Sequence, residues 1–197
     1  MTIKNQINLG NKVVISDPCY TIPTWCQEVI DGVKPGKYNV FAHKLELDMW
    51  GERVCALVAI HEDHEITNIY FDHHSDNVGV DSGQAGIFDI DTYRKDELVD
   101  QMGLGDGDIT FFGNFGRPEE EGEKWYKTIC SRTLGVLQWG VYDGGVVSSS
   151  GIGDGSYSLY TATVDEESKE IVGFIIDFGI DGNLFENLEE VYNEIGF

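Results

Sequence analysis

Three short segments carry side chains that could do chemistry, and each has the look of a turn or strand end. The first is Gly151-Ile152-Gly153-Asp154-Gly155-Ser156-Tyr157. Glycines on both sides of Asp154 allow an unusual backbone that can aim its carboxylate at a ligand, a metal or a catalytic partner. The run contains G-x-G, but it follows a turn and leads into a strand, which rejects a dinucleotide fingerprint. The second is Val80-Asp81-Ser82-Gly83-Gln84-Ala85-Gly86, with a carboxylate, a hydroxyl and an amide in four consecutive positions. Ser82 lacks the G-x-S-x-G frame, so it is not a nucleophile elbow. The third is Ser16-Asp17-Pro18-Cys19-Tyr20. Its sharp reading makes Cys19 a thiolate nucleophile with His73 or His74 as base. Its bland reading is a turn whose Asp17 bonds nearby backbone. For the other two segments the bland alternative is an irregular turn held by local Asx and Ser bonds.

A metal is the other option that carboxylates raise. Asp177, in the apolar run Ile175-Ile176-Asp177-Phe178, is costly to bury unless paired or ligand-bound. A hard cation, Ca²⁺ or Mg²⁺, held by Asp81, Asp154 or Asp177 is the cofactor these residues would take, although the sequence requires none. The histidines point away from zinc. His61-Glu62-Asp63-His64 is not H-E-x-x-H. A hairpin turning near Asp63 would set His73 opposite Val54, about 20 Å from His61 at ~3.3 Å per residue. The loop Gly103 to Asp108 (GLGDGD) has only part of a calcium ladder. Cys19, Cys26, Cys55 and Cys130 form no C-x-x-C pair; Cys26, Cys55 and Cys130 read as small core residues.

The elements that must position these groups are mostly strands. Lys12 to Ser16, Lys37 to Leu47, Glu52 to His61, Thr67 to His73, Val78 to Asp89, Ile109 to Phe112, Val136 to Tyr142, Ser156 to Val164 and Ile171 to Phe178 have strand character. Ser148 to Gly155 reads as one long Ser/Gly loop, longer than a hairpin needs. Helices are expected after Pro23 within Thr21 to Asp31, from an Asp91 cap to Met102, over Glu123 to Leu134 and over Leu184 to Glu194. Residues 1–197 then form a single domain. Its fold class is α+β and β-rich, with antiparallel sheets (a sandwich or open barrel) and two or three peripheral helices.

Charge bounds the partners. The formal net charge is −22 over 197 residues, and Lys and Arg are missing from Val54 to Tyr93, Thr133 to Ser168 and Glu170 to Phe197. That excludes general binding of nucleic acid or acidic membrane, which needs a basic footprint. No apolar run approaches the ~18 residues of a membrane span. The start, MTIKNQINLG, has no apolar core of signal-peptide length, so a cytoplasmic location with reduced cysteines is expected.

The strings VDSGQAGIFD, WYKTIC and SSGIGDGSYSLYTATVDEESKEIVGFIIDFG resemble the bacterial and phage family called domain of unknown function 4241. The resemblance covers roughly Lys37 to Gly179, and SDPCY also looks like an element of phage-encoded relatives. It implies a compact β-rich domain with a shared polar site at Asp81, Ser82, Gly83, Asp154, Gly155, Ser156 and Tyr157, and it supplies no reaction.

Two function classes follow. One is a hydrolase acting on a small polar or nucleotide-like ligand. Asp154 or Asp81 would be general base or metal ligand, with Cys19 as the third catalytic candidate. Ser82, Gly83, Gln84, Gly153, Gly155, Ser156, Tyr157, Asp17 and Tyr20 would line the ligand. The other is a non-catalytic binder. The phage resemblance would make it a counter-defence protein that sequesters a nucleotide signal or binds a host protein. A third, weaker option is an acidic mimic of nucleic acid.

Overall fold

A computed structural model describes residues 5–102 and 121–197. Ile109 to Phe112 and the GLGDGD loop lie outside those residues. Among the described residues, twelve strands form two antiparallel sheets. The larger contains β1 (Asn5–Leu9), β4 (Gly36–Leu47), β5 (Gly51–His61), β12 (Gly173–Asp177), β11 (Gly155–Thr163) and β6 (Tyr70–His73), in that order, and β7 (Val78–Val80) also pairs with β11. The smaller has the order β3 (Glu28–Asp31), β2 (Lys12–Ser16), β8 (Gln84–Asp89), β10 (Gly145–Ser149) and β9 (Trp139–Tyr142). Two α-helices, α1 (Glu123–Ser131) and α2 (Leu184–Ile195), complete an α+β fold.

Alternation along the strands builds four layers. Successive side chains on a strand point to opposite faces. Val13, Ile15, Leu57, Ala59, Ile87, Val146, Phe174 and Ile176 meet in one cluster between the sheets. Their neighbours face the other way. Ala56, Val58, Ile60 and Ile175 pack under Leu184, Leu188, Tyr192 and Ile195 of α2. Val14, Phe88 and Val147 pack under Trp125 and Ile129 of α1. Both faces of the central strands are therefore covered, which is why β5 reads as the unbroken apolar run VCALVAI. Each helix is fastened by an acid. Asp96 accepts from the Gly122 and Trp125 N–H groups at the start of α1, at 2.8 and 2.7 Å. Asp181 accepts from the Asn183 N–H at 2.9 Å and pairs with buried His43 at 2.9 Å, tying the start of α2 to β4.

Several elements differ from the sequence expectation. No helix follows Pro23: Thr24 Oγ1 donates to Thr21 O, Thr24 N to Gln27 Oε1 and Gln27 N to Thr24 O, so local bonds compete with a helix. Glu28–Asp31 then pairs with β2. Asp91 caps nothing; its N–H donates to Asp89 Oδ1 at 2.8 Å, and a 3-10 helix begins only at Asp96. Val78 to Asp89 is two strands in different sheets, divided at Asp81 to Gly83. β6 pairs with β11, setting His73 opposite Tyr160 and not Val54. Two strands, β12 and β11, stand between β5 and β6. No helix among the described residues is long and apolar enough to cross a membrane.

Close packing gives a stability test at Gly86. A Cβ there would run into the Phe88 ring and come within 2.6 Å of the Val146 carbonyl oxygen. Gly86→Ala should lower unfolding stability by about 1–3 kcal/mol, read as the midpoint of urea denaturation. A midpoint unchanged from wild type would contradict this packing.

Candidate functional site

All three flagged segments converge at one end of the molecule, and Asp17 joins the first two. It is fully buried at the end of β2. Its Oδ2 accepts from the backbone N–H groups of Asp81 and Ser82 at 2.8 and 2.6 Å. Its Oδ1 accepts from the Cys19 N–H at 2.8 Å and from Ser82 Oγ at 2.7 Å. Four donors on one carboxylate are what a buried charge needs to be tolerated. The second and third segments are joined by backbone. β7 and β11 pair Gly155 with Val80 and Ser156 with Gly79. The Ser150 N–H donates to Gly83 O at 2.9 Å. One step beyond the Gly155–Val80 pair, Asp154 and Asp81 leave the adjoining strand ends, and both are exposed.

The glycine-rich loop is shorter than the sequence suggested. Ser148 and Ser149 belong to β10, paired with Ala85 and Gln84 of β8. Only residues 150–154 connect β10 to β11. That connection is closed on itself. Ser150 Oγ donates to Gly153 O at 2.7 Å, and the Tyr157 hydroxyl donates to Ser150 O and Gly153 O at 3.1 and 2.5 Å. Gly153, at φ +124°, and Gly151, at φ +64°, supply the left-handed turns. Tyr157 is thus buried in the core with its polar end spent on the loop, and it does not face a ligand. Gln84 is also enclosed, donating to Cys130 Sγ and accepting from Thr133 Oγ1. Gly83, Gly155 and Ser156 remain at the surface beside Asp81 and Asp154.

The Asp17–Tyr20 loop is held from below by groups that sequence reasoning did not flag. Arg94 Nη1 donates to Pro18 O at 2.9 Å and Cys19 O at 3.3 Å. The Tyr93 hydroxyl donates to Tyr20 O at 2.7 Å, and Gln27 reaches Ser16 Oγ at 2.8 Å. Arg94 adopts φ +57°, uncommon outside glycine, and a Cβ on Gly122 would collide with it. Tyr126 of α1 lies close enough to interact with Ser82 and Cys130. The adjacent pair Tyr93-Arg94, at the end of a long stretch without basic residues, was the available signal.

Electrostatics set what the cluster can do. Burial, then the Asp17 carboxylate, push the Cys19 thiol well above its ordinary range. That opposes the thiolate nucleophile considered for Cys19. Neither candidate base sits beside it as a partner. His73 stacks edge-on against Tyr160, and His74 bonds Glu28. Burial and the bond to Asp81 likewise raise the Tyr20 phenol, which stays protonated and donates to Asp81 Oδ2 at 2.6 Å. Ser82 Oγ has given its proton to the Asp17 bond. The exposed end is left as two carboxylates, Asp81 and Asp154, bordered by a phenol and a serine.

Of the three carboxylates named for a cation, Asp81 and Asp154 leave adjoining strand ends and Asp177 lies apart from them. Asp177 faces Ser158 on β11, four residues from Asp154 or about 13 Å along the strand. Its Oδ1 accepts from the Gly179 N–H at 2.7 Å, while burial raises its pKa. Among the described residues, the group that could hold an ion is Glu28, His74 and Asp76. No family model, no curated protein and no solved structure matches the chain.

Two outcomes test this account. Asp17→Ala strands buried N–H donors and should cost about 3 kcal/mol or more in urea unfolding, while Asp81→Ala at the surface should stay within about 0.5 kcal/mol. The Cys19 thiol should react with iodoacetamide at pH 8 more slowly than free cysteine does, read by peptide mass spectrometry. Rapid modification of Cys19 would show an activated thiol.

Proposed function

We propose that this chain is a non-catalytic binding protein that receives a basic partner on its acidic face, and is not a hydrolase. The observation that carries the reading is Trp25. It is 94% exposed on the loop whose Tyr20 reaches Asp81. Its neighbour Cys26 accepts from the Gly79 N–H of β7 at 3.0 Å, which holds this stretch beside the Asp81 strand. Trp is enriched among the residues that dominate binding energy at interfaces. Its ring offers a face to an arginine or lysine, and the exposed carboxylates of Asp81 and Asp154, at the strand ends to which this loop is tied, would offer the counter-charge. The −22 charge would steer such a partner toward the protein.

Hydrolysis is supported less well. Its candidate nucleophiles are engaged or disfavoured, since Ser82 is bonded to Asp17 and the Cys19 thiol is pushed up, which leaves a hydrolase only the exposed carboxylates of Asp81 and Asp154 as bases. A nucleotide is also a poor match for the surface. The guanidinium near this end, that of Arg94, is spent on backbone carbonyls beneath the loop.

The test uses a fluorescein-labelled oligoarginine peptide and fluorescence anisotropy. Asp81→Asn/Asp154→Asn should weaken binding about fivefold, and Trp25→Ala about two- to fivefold. Asp165→Asn/Glu167→Gln, at the far end of β11, removes the same charge and should weaken it less than about twofold. Equal losses from both charge pairs would reduce the effect to net charge and overturn the site. Turnover of p-nitrophenyl acetate by wild type that Asp81→Asn/Asp154→Asn abolishes would restore the hydrolase.

A further inference from the structure

Glu28, His74 and Asp76 come from distant parts of the chain and meet outside the Asp17 cluster. Glu28 opens β3 opposite Ile15, so it belongs to the smaller sheet. His74 follows β6, and its backbone N–H donates to Leu159 O of β11 at 2.8 Å, so it belongs to the larger sheet. Asp76 lies in the turn before β7, where Ser75 Oγ donates to its Oδ2 at 3.0 Å. His74 Nε2 stands 3.0 Å from Glu28 Oε2, and one ligand atom from each of the three residues lies within 4.8 Å of the others.

Two features favour an ion over a plain His–Glu pair. The first is charge. Neither Glu28 nor Asp76 has an ion pair with Lys or Arg among the described residues, and Val54 to Tyr93 contains no Lys or Arg to supply one. Two carboxylates then converge on a single imidazole. The Glu28 and His74 side chains are only 18% and 27% exposed, so water screens them poorly. The second is geometry. With metal–ligand bonds of about 2.0–2.2 Å, tetrahedral ligands stand about 3.4 Å apart, between the 3.0 Å of the His74–Glu28 pair and the 4.8 Å limit of the group, so small side-chain shifts reach it.

We propose that Glu28, His74 and Asp76 form a binding site for a divalent transition ion of the Zn²⁺ class, with a fourth position open to water or a ligand. One imidazole nitrogen and two carboxylate oxygens suit such an ion. Calcium, which takes six to eight oxygens, is poorly served by this set. The ion would bridge the two sheets at one edge. The proposal stands apart from the partner reading and does not depend on it.

Isothermal titration of the full chain with Zn²⁺ alone tests it. One ion per chain is expected. His74→Gln and Asp76→Asn should each weaken binding by about tenfold or more. His73→Ala, which removes the adjacent exposed imidazole, should leave binding unchanged. Co²⁺ in place of Zn²⁺ should give ligand-field absorption that His74→Gln lacks. Circular dichroism of the metal-free variants checks the fold, and exposed Asp76 keeps the test decisive if His74→Gln unfolds. No stoichiometric binding, or equal binding by wild type and Asp76→Asn, overturns the proposal.

Discussion

The buried carboxylate of Asp17 is the constraint on which the functional end depends. A charge taken out of water is tolerated only when donors replace the water it loses. Here those donors are three backbone N–H groups and one hydroxyl, and two of the amides lie 64 and 65 residues away in sequence. The bonds fix both sides at once. They hold the 17–20 loop against the end of β2, and they hold the turn where the chain passes from β7 in one sheet to β8 in the other. Without that turn, Asp81 would have no defined position relative to Asp154, and Tyr20 would have no acceptor.

The four-layer build explains which parts of the fold the sequence revealed. β4 and β5 were legible to within a residue because both their faces are covered between clear turns, with a long apolar run in β5 and the shorter Val40-Phe41-Ala42 in β4. β1 was not. It buries only Ile7 and Leu9 and turns Gln6 and Asn8 to solvent, too little alternation in five residues to stand out. β10 was hidden for the opposite reason: Ser148 and Ser149 look like loop, yet cross-strand pairing with β8 recruits them. Packing against a neighbouring strand outweighed the local preference of serine. The pairing of β6 with β11 is a long-range choice that no local pattern encodes.

The candidate site divides in the same way. Asp17, Asp81, Ser82, Asp154 and Tyr20 stood out as residue types in glycine-rich or proline-marked turns, and they do gather. Their roles were not legible. Asp17 acts mainly on backbone amides, which leave no side-chain signature in a sequence. Tyr157 and Gln84 looked like ligand contacts because they are polar, and burial gave them internal partners instead. Glu28, His74 and Asp76 were missed because their meeting depends on β3 joining one sheet while the end of β6 is held to the other.

The way β11 is shared has a further consequence for solubility at high concentration. This nine-residue strand would otherwise offer an open ladder of backbone groups to any extended chain, including a second copy. β6 covers Tyr160 to Thr163, β7 covers Gly155 to Tyr157, and the His74 N–H takes the carbonyl of Leu159 between them. The outer border is broken into pieces of four and three residues, offset by a turn rich in acid and histidine. Neither piece is long enough to template a continuous new strand. The same turn that gathers His74 and Asp76 therefore also guards the sheet against edge-to-edge aggregation.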